Sequence, residues 1–220
     1  LEPVVPVYNA DGTYGSSPYV DSNNPVASIQ YTDTQYKNLN LVGNIFLNID
    51  ILKNLKFKST FGVDMKKEDY YDFVPQYFVS TTQKNDESII SRGYLKRDNW
   101  LWENTLNYNK TFAEKHSLNA LVGYTMEETR EENLFGSKKG VPADLASLKY
   151  LNAAQNATSA SVSGAAWESA MISYLGRVNY GFDDRILATL SLRADGSSKF
   201  AKQNRYAIFP SFSLAWKINN

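Results

Sequence analysis

The sequence predicts an all-β fold of a particular kind: an antiparallel sheet forming one piece of a transmembrane β-barrel, with long extracellular loops. Three observations predict it. About seven segments alternate apolar and polar side chains with the period of two that marks a sheet with unlike faces. The connections between them are alternately short and long, and aromatic rings collect near both ends of the apolar stripes.

Composition narrows the choice before any motif does. A chain of 220 residues, 43% hydrophobic and 21% charged, has the make-up of a folded protein. No run of about 18 apolar residues occurs, so a helical membrane span is excluded. The mean hydropathy of −0.42 agrees with that. It does not count against a barrel, whose strands need only about 9–11 residues each with every second one polar. Zero cysteines remove disulfides and thiolate metal sites. Zero net charge gives no basic footprint, so no nucleic-acid partner is expected. Aromatics at 14%, with 15 Tyr, suit membrane-interface girdles, a sugar-binding surface or an ordinary β core. Leu1-Glu2-Pro3-Val4 has neither the basic nor the apolar stretch of a signal peptide, so the chain is expected to be processed or to begin inside something larger.

Residues 1–36 are rich in Pro, Gly, Asn, Asp and Ser, with turn signals at Asp11-Gly12, Tyr14-Gly15 and Asn23-Asn24-Pro25, and are expected to form an extracellular loop. Residues 37–220 are expected to be barrel. The first strand sets Leu39, Leu41, Gly43, Ile45, Leu47, Ile49 and Ile51 against Asn40, Asn44, Asn48 and Asp50. After a turn at Leu52-Lys53-Asn54, the second sets Leu55, Phe57, Phe61, Val63 and Met65 against Lys56, Lys58, Thr60 and Asp64. The third puts Trp100, Trp102, Leu106 and Tyr108 on the apolar side, and the fourth Leu118, Ala120, Val122, Tyr124 and Met126. In the fifth, Ala170, Ile172, Tyr174, Val178 and Tyr180 oppose Ser173, Arg177 and Asn179. The sixth carries Ile186, Ala188, Leu190, Leu192 and Ala194, and the seventh Tyr206, Ile208, Phe212, Leu214 and Trp216.

Turns after the first, third and fifth strands are short, while 66–93, 127–168 and 196–205 are long and polar. Barrels of the outer membrane sort their connections this way, short turns periplasmic and long loops extracellular; Greek-key sandwiches need not. A Lys or Arg at the bilayer midplane costs roughly 2–4 kcal/mol on the lipid face. The charges Lys56, Lys58, Asp64, Glu103, Arg177, Arg193 and Lys217 all fall on the opposite phase. A slip of one residue would send them into lipid, so register is tightly fixed. Asn104, Ser59 and Pro210 are exceptions on the apolar phase.

One stretch also carries a resemblance. Arg193-Ala194-Asp195-Gly196-Ser197-Ser198-Lys199-Phe200, then Asn204-Arg205-Tyr206 and Phe209-Pro210-Ser211, resembles a segment of the SusC/RagA family, TonB-linked outer-membrane transporters of Bacteroidetes. Asn24-Pro25-Val26-Ala27, Leu52 to Ser59, Leu121-Val122-Gly123-Tyr124 and Gly176-Arg177-Val178-Asn179-Tyr180 resemble further segments in the family's order. Ala201, Ala207 and Ala215 stand where the resemblance would more often put Gly. It implies a contiguous third of a 22-stranded barrel with a plugged lumen. It further implies a SusD-like surface lipoprotein as lid, and glycan or peptide import. The TonB-ExbB-ExbD complex would power that import through parts of a full chain not seen here. The rivals are a surface adhesin, a soluble carbohydrate-binding β domain and a barrel enzyme.

Chemistry returns little that suggests catalysis, a cofactor or a metal. His116 is the only histidine and is expected to be a polar turn neighbour. Glu127, Glu128, Glu131 and Glu132 form a cluster that can be drawn as a Ca²⁺ site, with a solvated loop base as the simpler reading. Asp195-Gly196-Ser197-Ser198 is not followed by a helix, so it is expected to be a tight loop cap and not a phosphate cradle. Arg193, Asp195 and Arg205 would be hydrogen-bonded on the lumen side, and Lys199 and Phe200 complete the motif loop. Pro142 to Ala154 is expected to form a short helix, and Ala153 to Ala166 a mobile run. Tyr70, Tyr71, Phe73, Tyr77 and Phe78 are expected in the loop after the second strand, as substrate or partner contacts or as rings packing loop on loop.

Overall fold

The computed structural model describes residues 4–218; Leu1 to Pro3, on which the signal-peptide reading partly falls, lie outside the described residues. The strands are β1 Asp33–Leu52, β2 Leu55–Val74, β3 Tyr77–Phe78, β4 Lys84–Asn85 and β5 Ile89–Phe112. They continue with β6 His116–Lys139, β7 Asn156–Phe182, β8 Ile186–Ser197 and β9 Tyr206–Trp216. Seven of them form one sheet in the order β1-β2-β5-β6-β7-β8-β9, so each long strand pairs with the next long strand in the chain; β3 and β4 make a separate two-stranded sheet. This is an open run of barrel wall, without crossovers. Contacts divide the chain into two compact units, Leu1–Leu39 with Lys67–Lys96 and Glu132–Ala166, and Asn40–Lys66 with Arg97–Glu131 and Trp167–Asn220.

In the second unit the alternation is realised as register. Val178 faces Leu190, which faces Phe212; Tyr180 faces Ala188, which faces Leu214; on the other phase Asn179 faces Thr189 and Ser173 faces Asp195. The apolar stripes are left uncovered by protein: Leu190 is 58% and Phe212 69% exposed. A water-soluble sheet would bury such rows, whereas hydrocarbon is their matching solvent. Along the apolar phase the first charges met are Lys67 on β2, Asp98 on β5, Glu128 on β6 and Glu168 on β7. On the apolar phase 55–65 and 116–126 carry no charge over the length of about 9–11 residues that a tilted strand needs to cross a bilayer, and the uncharged run 170–182 is somewhat longer. Pro210 sits opposite Leu192 in β9.

The hairpin turns carry left-handed residues. Ala113 and Glu114 between β5 and β6, and Asp183 and Asp184 between β7 and β8, have φ of 48°, 59°, 51° and 49°. Paired positive φ matches the right-handed twist of the flanking strands. His116 is the turn neighbour that the sequence suggests, with rings packed around it. It opens β6 stacked on Phe112 at 5.0 Å, next to Phe182, with Nδ1 2.6 Å from the Tyr180 hydroxyl.

Several expected loops are strand or core instead. β6 runs to Lys139, and the run expected to be mobile is the start of β7 from Asn156. The helix expected from Pro142 reduces to one 3₁₀ turn at Ala146–Leu148. In the first unit the segment 141–154 folds back to bury Phe73, Ile90, Val141 and Ala154, with Tyr71, Leu148 and Leu151 packed against them.

The N-terminal segment contains one helix, α1 Pro25–Gln30, and its cap organises the segment. Asn24 Oδ1 accepts from the N–H groups of Val26 and Ala27, the usual work of an Asn cap before Pro at N1. Its Nδ2 donates to the carbonyls of Val7 and Gly15, at 2.8 and 2.9 Å. Gln83 closes the ring, its Oε1 accepting from Asn24 N and its Nε2 donating to Asn24 O. Asn24 is fully buried, so truncation strands acceptors with no water to replace it. Asn24→Ala is expected to cost at least about 2 kcal/mol locally. Limited proteolysis of the full-length protein checks this: cleavage within 5–36 should accelerate, and an unchanged rate would refute the role given to the cap.

Candidate functional site

The first unit holds a cleft of about 760 Å³ whose walls include Asp33, Lys37, Tyr71, Arg92, Tyr94, Lys149 and Tyr150. Adjacent strands supply the floor: Tyr71 from β2, Arg92 and Tyr94 from β5. The returning segment supplies Lys149 and Tyr150. The Arg92 guanidinium lies 4.4 Å from the Tyr71 ring and 5.0 Å from that of Tyr150, and its Nη2 donates to the Lys149 carbonyl at 3.1 Å. Its Nε is buried with no hydrogen-bond partner. Lys149 is held by Asp144 at 2.7 Å and lies 4.3 Å from the Phe73 ring centre. The hydrogen bond it donates to Asp144 raises its pKa above the ordinary lysine value. Tyr94 donates to Glu132 at 2.9 Å. Aromatic faces with interleaved cations and carboxylates suit a polar ligand with flat apolar patches.

The expected aromatic cluster divides. Tyr70 and Tyr71 belong to β2 and not to a loop, and both reach the cleft. Tyr70 lies between Tyr36 and Phe135 in tilted contacts, with ring centres 5.2 and 5.9 Å away. Phe73, also in β2, is 2% exposed, so of the two roles expected for these rings it takes packing and not contact. Tyr77 lies parallel to Tyr31 at 4.3 Å and serves the docking of the N-terminal segment. Phe78, at 69%, is the one that projects freely.

The second unit carries a polar ladder on the phase opposite its apolar stripes. Thr189 donates to Asn179, Asn179 to Asn119, Asn119 to Asn109 and Asn109 to Asn107. On the same phase Arg97 donates through Nε and Nη2 to Glu131 Oε2, at 2.7 and 2.5 Å, while Trp167 Nε1 donates to Glu131 Oε1 at 3.2 Å. The four glutamates do not cluster, because alternation along β6 sends 127 and 131 to one face and 128 and 132 to the other. Among the described residues no group of carboxylates and imidazoles can hold a metal ion.

Known proteins carry the same pattern. The TonB-dependent receptor P3 of Formosa agariphila is 31% identical over 217 residues, 98% of this chain and 21% of that protein. The TonB-dependent receptor SusC of Bacteroides thetaiotaomicron is 26% identical over 214 residues, 96% of this chain and 20% of that protein. A solved structure of the RagAB peptide transporter superposes with a TM-score of 0.81 at 25% identity, covering 92% of this chain and 23% of that one. No family profile matches the chain. The chain is a SusC/RagA-like barrel segment. It spans about a fifth of the length of the curated relatives it matches.

Within this SusC/RagA-like segment Arg193 to Ser197 belong to strand β8 and clip it to its neighbour, and the tight turn expected of the motif begins at Ser198, closed by Phe200 N donating to Ser197 O at 3.3 Å. Strand β8 continues through Ser197. The Arg193 Nε donates to both Asp195 oxygens, at 2.7 and 2.9 Å, and Nη2 reaches the buried Ser173 hydroxyl at 3.2 Å. Arg205 does not join them: its Nε donates to the Phe200 carbonyl. Gly196 faces Tyr206, and a Cβ there would stand 2.5 Å from the tyrosine Cε1, so a side chain at 196 would have to push the exposed Tyr206 ring aside. Ser198 N donates to Ala170 O and Ala170 N donates to Ser198 Oγ, both at 2.8 Å, which ties the following Lys199 to β7. Lys199 then lies 5.7 Å from the Trp167 ring centre, and Phe200 is exposed. Sequence reasoning missed Trp167. Counting back in twos from Arg177 and Ser173 places it on the polar phase, where a bare indole is out of character.

Proposed function

We propose that the SusC/RagA-like segment is a stretch of the wall of an outer-membrane transporter that imports oligosaccharides or peptides. Residues 1–36 would be extracellular loop and 37–220 barrel. A SusD-like lipoprotein would close over the long connections, and the TonB-ExbB-ExbD complex would drive uptake through the rest of the protein. One observation carries this reading: a single sheet whose apolar phase is uncharged for the width of a bilayer and whose other phase is an asparagine and arginine–glutamate ladder. That ladder offers a passing polar solute fixed donors and acceptors. SusC and the RagAB peptide transporter, which the chain resembles, support it.

The test uses the full-length protein. It should fractionate with outer membranes and migrate faster before boiling than after. Uptake of its substrate should stop when TonB is deleted. A protein recovered in the soluble fraction, with mobility indifferent to boiling, would instead favour an adhesin or soluble carbohydrate-binding domain.

A further inference from the structure

We propose that Trp167, Glu127 and Lys199 form a subsite for one uncharged sugar ring of a transported oligosaccharide. The inference rests on the transporter reading, which makes the polar phase the lumen wall, and it narrows that reading from glycan or peptide to a neutral glycan.

Trp167 is 42% exposed on the polar phase, beside a cleft of about 220 Å³ whose walls include Glu127, Thr129, Ser169, Ser197 and Lys199. Lys199 lies over the indole at 5.7 Å from its centre, and the rest of the ring, exposed among hydroxyls and charges, is suited to a partner with an apolar face and a polar rim. A pyranose is such a partner, with C–H groups on its faces and hydroxyls around its edge. The rim groups agree. The Glu127 carboxylate only accepts, the Lys199 ammonium only donates, and a sugar hydroxyl can answer both. Glu127 and Lys199 offset one another at the rim, as Arg97 and Glu131 do behind the indole, with Lys66 a further cation within reach of Glu131, so at the rim itself neither sign of charge is in excess. The space is below the about 300–1,000 Å³ of pockets that enclose a drug-sized molecule, so it fits one ring in a chain of rings.

The site is also built in advance. The indole edge is pinned through Nε1 to Glu131, whose other oxygen is held twice by Arg97. The Ser198 clip on Ala170 fixes the backbone that carries Lys199. The family-like motif therefore positions a binding residue, a role its hydrogen bonds alone would not suggest. A rigid aromatic and a fixed rim lose little freedom when a ligand arrives.

The test measures binding by calorimetry to full-length protein in detergent. The probes are α- and β-linked gluco-, xylo-, manno- and galacto-hexaoses, an oligogalacturonate and a tryptic casein digest. At least one neutral hexaose should bind, and Trp167→Ala should weaken it about tenfold or more. Trp167→Phe should restore most of that, and Lys199→Met should weaken it a few-fold. All variants should keep the boiling-dependent mobility of a folded barrel. Binding of no neutral hexaose overturns the proposal. So does binding indifferent to Trp167→Ala, or Trp167-dependent binding confined to the oligogalacturonate or the peptides. Uptake that persists without TonB would defeat the transporter reading instead, leaving the measured affinities as they stand.

Discussion

Replacing Leu190 with lysine in the full-length protein is expected to destabilise it by about 2–4 kcal/mol, the cost of a cation at the bilayer midplane on a lipid-facing strand position. Leu190 is central in the apolar stripe of β8, with Val178 and Phe212 as its cross-strand neighbours and no protein above it. Neither neighbour offers an acceptor to the ammonium, and the lysine stem is too far from either end of the stripe to reach water cheaply. The control is Ser213→Lys, one residue along β9 from Phe212 and on the polar phase, opposite Thr189. There the same side chain enters water, and the change should stay within about 1 kcal/mol. Reversible urea unfolding in lipid vesicles measures both. Equal costs would mean that the two faces meet the same solvent, and the membrane reading would fall.

The part of the fold that was legible is the part that two solvents write. Where β8 has Leu190 and Leu192 on one side and Ser191 and Arg193 on the other, hydrocarbon and water impose a period of two that survives any sequence drift. Outside those stretches water and protein meet both faces, and the period disappears while the ladder of backbone hydrogen bonds continues. That is why 156–166 of β7 read as a mobile polar run and 127–139 of β6 as a loop. Backbone pairing leaves no mark on side-chain identity.

The site followed the same division. Tyr70 and Tyr71 were found by composition, and the Arg193–Asp195 pair by the motif, because both signals are local. That Phe73 is core was not legible, since the segment covering it lies far along the chain and carries no periodicity of its own. Trp167 was legible in principle, through its phase relative to Arg177, but a single ring in an Ala/Ser run carries little weight until Glu131 and Lys199 are placed beside it.

Phe73→Ala is expected to cost about 3–5 kcal/mol, the usual range for emptying a buried phenylalanine site. The cost should be felt on the returning segment more than on the strands. Phe73 meets Ile90, Val141 and Ala154, and Lys149 rests on its ring, so its removal undercuts the one cluster that holds 141–154 against the sheet. The strand hydrogen bonds of β2 do not depend on that ring. Hydrogen exchange on the full-length protein separates the two: amides of 141–154 should lose protection, while those of 55–65 in β2 should keep it. Phe73→Leu refills most of the space and should recover much of the protection, whereas Lys149→Met, which keeps the stem and loses only the cation, should cost about 1–2 kcal/mol or less. Unchanged exchange in 141–154 after Phe73→Ala would show that Asp144–Lys149 and Arg92, not apolar burial, hold the segment down. In that case the cleft between Tyr71 and Tyr150 would be polar in origin, and raising salt should open it.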